Sequence, residues 1–167
     1  LINLLSMMKW VNERKKKSLI LLINFKKAFD SIDHKFIQTI LTNFGFGNDI
    51  AKWVGLFFNS REAYILLGGH LTDKIILEQG VPQGDVISPY IFILAVEVLL
   101  IKINHTKNLK GINYGVVEGR SETFADYTTI YIERNPTYPK NAVKYINDFA
   151  IISGLHCNLD KTNVIPI

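Results

Sequence analysis

The stretch Thr123-Phe124-Ala125-Asp126-Tyr127-Thr128-Thr129-Ile130-Tyr131 decides how the rest of the chain is interpreted. Residues that favour β-structure lie on both sides of one acidic residue, which predicts a β-hairpin with the Asp126 carboxylate at its tip. Asp also favours turns through hydrogen bonds of its own side chain, so these residues alone leave a purely structural role open. Two further stretches, residues 22–30 and 80–89, are needed to decide between the two roles.

The composition predicts one folded domain. The 167 residues are 48% hydrophobic, which is enough for a core of their own, and we interpret residues 1–167 as a single domain. Lys and Arg exceed Asp and Glu by 19 to 15, a mild excess that permits a polyanionic partner without requiring one. The chain does not begin with Met and ends in an apolar run, so we expect it to be a piece of a longer protein.

Other features of the sequence bear on its compartment. The single cysteine, Cys157, excludes an internal disulfide and fits a reducing, intracellular compartment, either cytoplasm or nucleus. No apolar run looks long enough and uncharged enough to span a bilayer, so we expect no membrane partner.

Hydrophobic periodicity predicts an α+β fold. Residues 19–25 form a continuous apolar run that is typical of a strand buried on both faces. We expect Asp33 to cap one helix and Ser88 to cap another. In the helix over residues 49–58, the residues expected to point into the core are Ile50, Trp53, Val54 and Phe57. Hairpin signals are frequent and a βαβ rhythm is missing, which favours an antiparallel sheet with helices packed on one face. Helices are predicted from Asp33 to Gly45 and over residues 49–58, 90–104 and 138–152.

Four stretches, in order along the chain, resemble the palm motifs of reverse transcriptases, in particular those of non-LTR (LINE-type) retrotransposons. Residues 24–30, Asn-Phe-Lys-Lys-Ala-Phe-Asp, resemble a first motif in which the family has Asp-x-x-x-Ala-Phe-Asp. Residues 80–89, with Gln-Gly-Asp and Ser-Pro inside them, resemble the second motif. Residues 124–127, Phe-Ala-Asp-Tyr, resemble the third motif, Phe-Ala-Asp-Asp in the family, and residues 153–162 resemble the fourth, Gly-Leu-x-x-Asn-x-x-Lys. Together the four motifs are a specific signal.

The resemblance implies an RNA-directed DNA polymerase that extends a DNA primer along an RNA template with dNTPs. In such two-metal sites, Mg²⁺ ions about 3.5–4 Å apart stabilise the attacking and the leaving oxygen. Mg²⁺ takes oxygen ligands from one or two carboxylates and from the substrate phosphates. By the same resemblance, the fingers segment would precede Leu1 and the thumb would follow Ile167.

The chain departs from the family at the catalytic carboxylates. Asn24 stands at the position of the first Asp and Tyr127 at that of the second hairpin Asp, so only Asp126 is left as a metal ligand. A unit charge pair 4 Å apart is worth about 4 kcal/mol at an effective dielectric constant of about 20. Each loss of about 1.4 kcal/mol in transition-state stabilisation lowers the rate tenfold. We therefore expect this copy to hold Mg²⁺ weakly or not at all and to have lost most of its activity.

No neighbouring carboxylate replaces the lost ones in the sequence. Asp30 corresponds to an Asp that the family also has, and Asp33 is expected to cap a helix. Glu122 lies four residues before Asp126, about 13 Å along a strand.

The resemblance also implies nucleotide contacts at Phe25, Phe29, Gln83 and Gly84. Phe29 falls where the family has an aromatic residue that crowds the sugar 2′ position, although a core role is equally open. Gln83 and Gly84 would lie under the templating base and the incoming nucleotide, because glycine permits a close backbone approach.

The sequence leaves two roles open for each of two basic residues. Arg61 and Lys161 either contact phosphates, with Lys161 as a proton donor to the departing pyrophosphate, or are solvated surface charges. The sequence thus supports an inactive descendant of a polymerase, and it leaves open a non-catalytic remnant that binds nucleic acid or a protein.

Overall fold

The computed structural model describes residues 4–14, 18–58, 61–124 and 127–167, so Ala125 and Asp126 lie outside the described residues. The helices in this part of the chain are α1 (Leu4–Glu13), α2 (Ala28–Ser31), α3 (His34–Asn43), α4 (Gly47–Phe58), α5 (Ser88–His105) and α6 (Tyr138–Ser153). The strands are β1 (Ser18–Asn24), β2 (Arg61–Ala63), β3 (Leu66–Leu67), β4 (His70–Leu71), β5 (Ile75–Leu77), β6 (Ile112–Tyr114), β7 (Val117–Gly119), β8 (Ser121–Phe124), β9 (Tyr127–Glu133) and β10 (Asn163–Pro166).

An antiparallel sheet of four strands, in the order β10-β1-β9-β8, forms the centre of the fold. The strand β1 pairs with β9 along its whole length, from Ser18 opposite Glu133 to Asn24 opposite Tyr127. The strands β8 and β9 also pair, and their register ends with Phe124 opposite Tyr127. The remaining strands form three two-stranded antiparallel sheets, in which β2 pairs with β5, β3 with β4 and β6 with β7.

Both faces of the central sheet are covered. Successive residues of a strand point to opposite faces, so neighbouring residues of β1 belong to different clusters. Leu21 and Ile23 face the larger core, which they share with buried side chains of α3, α5 and α6. Ile20 faces the other way, into a smaller cluster to which α1 contributes Met7 and Val11. The predicted α+β class is confirmed, and α1 adds a helix on the second face that the one-face arrangement did not include.

The two predicted helix caps have different outcomes. Asp33 caps α3 as expected, since its Oδ1 accepts a hydrogen bond of 2.9 Å from the backbone N–H of Phe36. Ser88 is not the cap of α5, because Ile87 occupies that position and Ser88 is already helical. Instead, the Asp85 carboxylate accepts hydrogen bonds of 3.4 Å from the Ile87 N–H and from the Ser88 hydroxyl. An acidic side chain is also favoured near this positive end of the helix dipole.

The predicted inward face of α4 is confirmed at Val54 and wrong at the other three positions, of which Ile50 is 48% exposed. Trp53 is 54% exposed and Phe57 is 43% exposed, whereas Val54 and Phe58 are buried at 5% and 1%. Successive side chains of an α-helix are about 100° apart around its axis, so an error of one position moves the expected buried stripe to a neighbouring side of the helix. The sequence has apolar residues on both stripes, and contact with α3 selects the Val54–Phe58 side.

The helix α5 is long and apolar enough to cross a bilayer by length and composition, which corrects the expectation that no segment meets those criteria. In this fold it packs against the larger core. Core packing therefore accounts for its apolar composition without a membrane. Its buried apolar residues are Ile91, Phe92, Ala95, Val96, Leu99, Leu100 and Ile103.

Candidate active site

The end of β1 brings the first and third motifs together. Asn24 is the last residue of β1, and its Cα is paired with that of Tyr127, the first residue of β9. The Asn24 side chain is buried, with 5% exposure, while Tyr127 is 55% exposed. Asp126 immediately precedes Tyr127 in the chain but lies outside the described residues. The pairing therefore brings a residue of the first motif next to a residue of the third.

The fourth motif runs beside the first one. The Asn24 carbonyl accepts a hydrogen bond of 2.7 Å from the backbone N–H of Asn158, and the Lys26 N–H donates to the His156 carbonyl at 2.8 Å. Phe25 forms a β-bridge with Cys157 between these two bonds. Because β9 pairs with the opposite edge of β1, the Asn24 backbone is held between two segments that are distant in sequence.

The second motif is attached to the turn that follows the first. The N–H of Gly80 donates to the Ile32 carbonyl at 2.8 Å, and the Val81 N–H donates to the Phe29 carbonyl at 2.6 Å. The buried His34 ring contributes a third contact, a hydrogen bond of 2.7 Å between its Nε2 and the Gly80 carbonyl. These bonds hold the segment after Gly80 against the first motif.

A cleft of about 900 Å³ opens beside this junction. Asp30, Arg61 and Gln83 line it, and the Gln83 amide donates a 3.4 Å hydrogen bond to Asp30 Oδ1. Arg61, for which the sequence left a phosphate contact and a solvated surface charge open, lines the same cleft as Gln83. Gly84 follows with φ of 90° and open space on its side-chain side. The polar side chains that line the cleft are three carboxylates, one guanidinium and two amides: Asp30, Asp33, Glu78, Arg61, Gln79 and Gln83.

The two phenylalanines of the first motif are core residues to different degrees. Phe25 is 3% exposed, and its ring packs edge-on against Phe92 and Phe149 at centroid distances of 6.4 and 6.1 Å. The expected nucleotide contact of Phe25 is therefore corrected, because its ring is enclosed by the core. Phe29 is half-buried and stacks on Phe92 at 5.2 Å, so only Phe29 keeps an accessible part.

Lys161 lies on the segment that follows Asn158. Its side chain is exposed, and its backbone N–H donates to the Asn158 carbonyl at 3.2 Å. Since Asn158 in turn donates to Asn24, the ammonium group belongs to a segment that is tied to the end of β1.

Glu122 is engaged elsewhere. Its carboxylate accepts a short hydrogen bond from the Tyr131 hydroxyl, and Tyr131 belongs to the cluster that α1 covers. Burial, together with the bond to Glu122 and its negative charge, raises the pKa of the Tyr131 phenol well above its usual value. Asp33 is occupied as a helix cap. Both acids are therefore engaged in contacts of their own in this fold.

The donor groups at the described positions do not fit a two-Mg²⁺ site. Asn24 offers a neutral amide and Tyr127 a neutral phenol, whereas magnesium sites use carboxylate oxygens from the protein. Within residues 4–14, 18–58, 61–124 and 127–167, no group of three or more His, Cys, Asp or Glu side chains is arranged to hold a metal ion.

Sequence reasoning missed two supporting residues. Asp85 holds the start of α5, and an Asp at this place was a signal because its side chain commonly accepts a hydrogen bond from the backbone N–H two residues later, here that of Ile87. The bond of His34 to Gly80 had no such signal, because it joins residues that are 46 positions apart.

Comparison with known proteins places the chain among its relatives. The family model described as reverse transcriptase (RNA-dependent DNA polymerase) matches residues 2–166. The chain is 25% identical over 156 residues to a Retrovirus-related Pol polyprotein from type-1 retrotransposable element R2 of Popillia japonica, covering 93% of this chain and 22% of that protein. It is 26% identical over 145 residues to the corresponding polyprotein from type-2 element R2DM of Drosophila melanogaster, covering 87% of this chain and 13% of that protein.

Solved structures share the fold. Telomerase from Candida tropicalis, in complex with a TWJ fragment of telomeric RNA, matches 97% of this chain and 28% of its own with a TM-score of 0.72 and 12% identity. An apo form of that telomerase, truncated from its C-terminal domain, matches 98% of this chain and 34% of its own with a TM-score of 0.67 and 15% identity. At these identities the likeness concerns the fold alone.

The family assignment rests on the match over residues 2–166, on the similarity to the two R2 polyproteins and on the shared fold. The chain spans 22% and 13% of the lengths of those two polyproteins. It belongs to the reverse transcriptase (RNA-dependent DNA polymerase) family and is a reverse transcriptase domain of the non-LTR retrotransposon type.

Proposed function

We propose that this domain is the palm of an RNA-directed DNA polymerase that has lost nucleotidyl transfer in this copy. The observation that carries the proposal is the junction at the end of β1, where segments of all four motifs meet while Asn24 and Tyr127 provide neutral groups. In this proposal, an RNA template, a DNA primer and a dNTP occupy the cleft beside the junction.

The side chains of the cleft support particular contacts. Gln83 is exposed and Gly84 is unobstructed, so both are available to the templating base and the incoming nucleotide. Arg61 supplies a positive charge to phosphates at the same cleft. Lys161 contacts phosphate or protonates the departing pyrophosphate, and the accessible part of Phe29 borders the nucleotide sugar.

The expected loss of rate follows from the charges. In active members of the family, bound Mg²⁺ ions stabilise the attacking and leaving oxygens. One lost charge contact worth about 4 kcal/mol corresponds to about a thousandfold in rate. Two such positions are neutral here, so Asp126 would be left as the one metal-binding carboxylate of the three that the family has.

A primer-extension assay tests the proposal on the longest natural polypeptide that contains these residues. We expect no extension by the native protein and measurable extension by the double variant Asn24→Asp/Tyr127→Asp. Adding Asp126→Ala to the double variant should abolish the recovered extension, which is the matched control. Robust extension by the native protein would refute the loss of activity. Failure of a folded double variant, checked by its melting temperature, would show that these two positions do not account for the loss.

A second candidate function is nucleic-acid or protein binding without chemistry. It is favoured by the hydrogen bonds that still join the motifs although the ligand set for magnesium is incomplete. Titration of a primer–template duplex at increasing salt tests it, because each phosphate contact contributes a slope of about −0.9 to log K against log salt for B-form DNA. Absence of binding at low salt would exclude the nucleic-acid version.

A further inference from the structure

We propose that Tyr127 makes the end of β1 a contact for nucleic acid that does not need a divalent metal, by stacking its ring on a base of the primer–template. The inference rests on the proposed function, since it takes the same nucleic acid as the ligand.

The backbone of Tyr127 is held rigidly. It pairs with Asn24 of β1 on one side and with Phe124 of β8 on the other. The Thr123 hydroxyl donates a further hydrogen bond of 3.1 Å to the Tyr127 carbonyl. A side chain on such a backbone loses little conformational freedom on binding, because only its two χ angles are left to be ordered.

The ring of Tyr127 is accessible at the place where the motifs meet. It is 55% exposed, whereas Asn24 opposite it is 5% exposed. An exposed aromatic ring is a stacking surface for bases, and stacking is tolerant of sequence because every base has a π-face. Tyr127 is thus the group at this position that a nucleic acid can reach.

A tyrosine and an aspartate at position 127 differ in charge. A carboxylate repels the phosphates of a nucleic acid unless a cation lies between them, whereas a phenol is neutral at physiological pH. In bulk water, one unit charge 4 Å from a phosphate weakens binding about fivefold. The tyrosine therefore removes a repulsion and adds a stacking surface, and both effects favour binding without metal.

The contact can be measured by fluorescence anisotropy of a labelled DNA primer on an RNA template, at low salt, with EDTA or with Mg²⁺. The native protein should bind equally well in both conditions. Tyr127→Phe keeps the ring and should bind like the native protein, while Tyr127→Ala should bind about 5- to 150-fold more weakly. Tyr127→Asp should bind about fivefold more weakly still in EDTA and should recover part of that loss with Mg²⁺.

Ile151 provides the matched control. It is 79% exposed on α6, a helix that packs on the larger-core face of the sheet. Asn24 lies four residues from Ile20 on the same strand, so it points to the opposite face, and Tyr127, which is paired with Asn24, shares that face. Ile151→Ala and Ile151→Asp should leave binding unchanged, and melting temperatures verify that every variant is folded.

The outcomes separate the inference from the proposed function. Native binding that disappears in EDTA, or a Tyr127→Ala variant that binds like Ile151→Ala, overturns the inference and leaves the polymerase descent intact. Absence of binding by the native protein in both conditions overturns nucleic-acid binding in the proposed function and the inference with it.

Discussion

Gly80 offers the sharpest test of how the second motif is held against the first. A Cβ atom at this position would lie 2.8 Å from the backbone oxygen of Asp30, closer than side-chain carbons approach other atoms. Gly84 is the matched control within the same motif. Its φ of 90° is close to the 86° of Gly80, but a Cβ there meets nothing within 4 Å. Substitution by Ala therefore introduces backbone strain at both positions, but a steric clash only at Gly80.

The magnitude follows from the bonds at stake. A left-handed backbone conformation costs a residue with a side chain about 1–2 kcal/mol, and this cost lowers the stability of both variants. Relieving the clash moves Gly80 away from Asp30 and stretches the bonds to Ile32, to His34 and from Val81 to Phe29. Each of the three is worth about 1 kcal/mol net. We expect Gly84→Ala to lower the free energy of unfolding by about 1–2 kcal/mol and Gly80→Ala by about 4 kcal/mol.

Urea unfolding followed by circular dichroism measures both values. An unchanged m-value would show that the variants differ from the native protein in stability and not in the extent of unfolding. Equal losses for Gly80→Ala and Gly84→Ala would refute the reasoning, because the contact with Asp30 would then have no energetic consequence.

Two further predictions concern single side chains. Asp33→Ala should lower the free energy of unfolding by about 1 kcal/mol in urea, because the Phe36 N–H loses its cap, while Asp33→Asn should lose less; equal losses would exclude the capping role. The raised pKa of Tyr131 means that the folded state binds its phenolic proton more tightly than the unfolded state, whose pKa is near 10.0. The contribution of Tyr131 to stability should therefore be fully present below about pH 10 and be lost above it in pH-dependent melts, and a native-like fall above pH 10 in Tyr131→Phe would contradict this.

Local patterns were read correctly where the responsible interactions lie close in sequence. The cap at Asp33 depends on a residue three positions away, and the hairpin of β8 and β9 depends on its adjoining strands. The end of α6, predicted at residue 152 and found at Ser153, is equally local, because Gly154 follows with a φ of 77° that suits glycine. Such features are specified by a few neighbouring residues and need no knowledge of the rest of the chain.

Predictions failed where distant segments decide. Trp53 and Phe57 were expected inside together with Val54, but the packing of α4 on α3 leaves both aromatic residues exposed and buries Phe58 beside Val54. Phe25 was expected at a nucleotide, but Phe92 and Phe149 enclose it. Apolar residues occur on more than one side of these elements, so the sequence alone does not select the buried side.

The sequence by itself determined the order of the four motifs and the side chains within them, including a neutral amide at position 24 and a phenol at position 127. Side-chain chemistry is a property of each residue, so these two residue types can be read without a structure. Only the tertiary structure decided that Asn24 pairs with Tyr127, that Asn158 donates to Asn24, and that Arg61 reaches the cleft. Those contacts join residues far apart in the chain, and they form only when strand register and core packing bring the segments together.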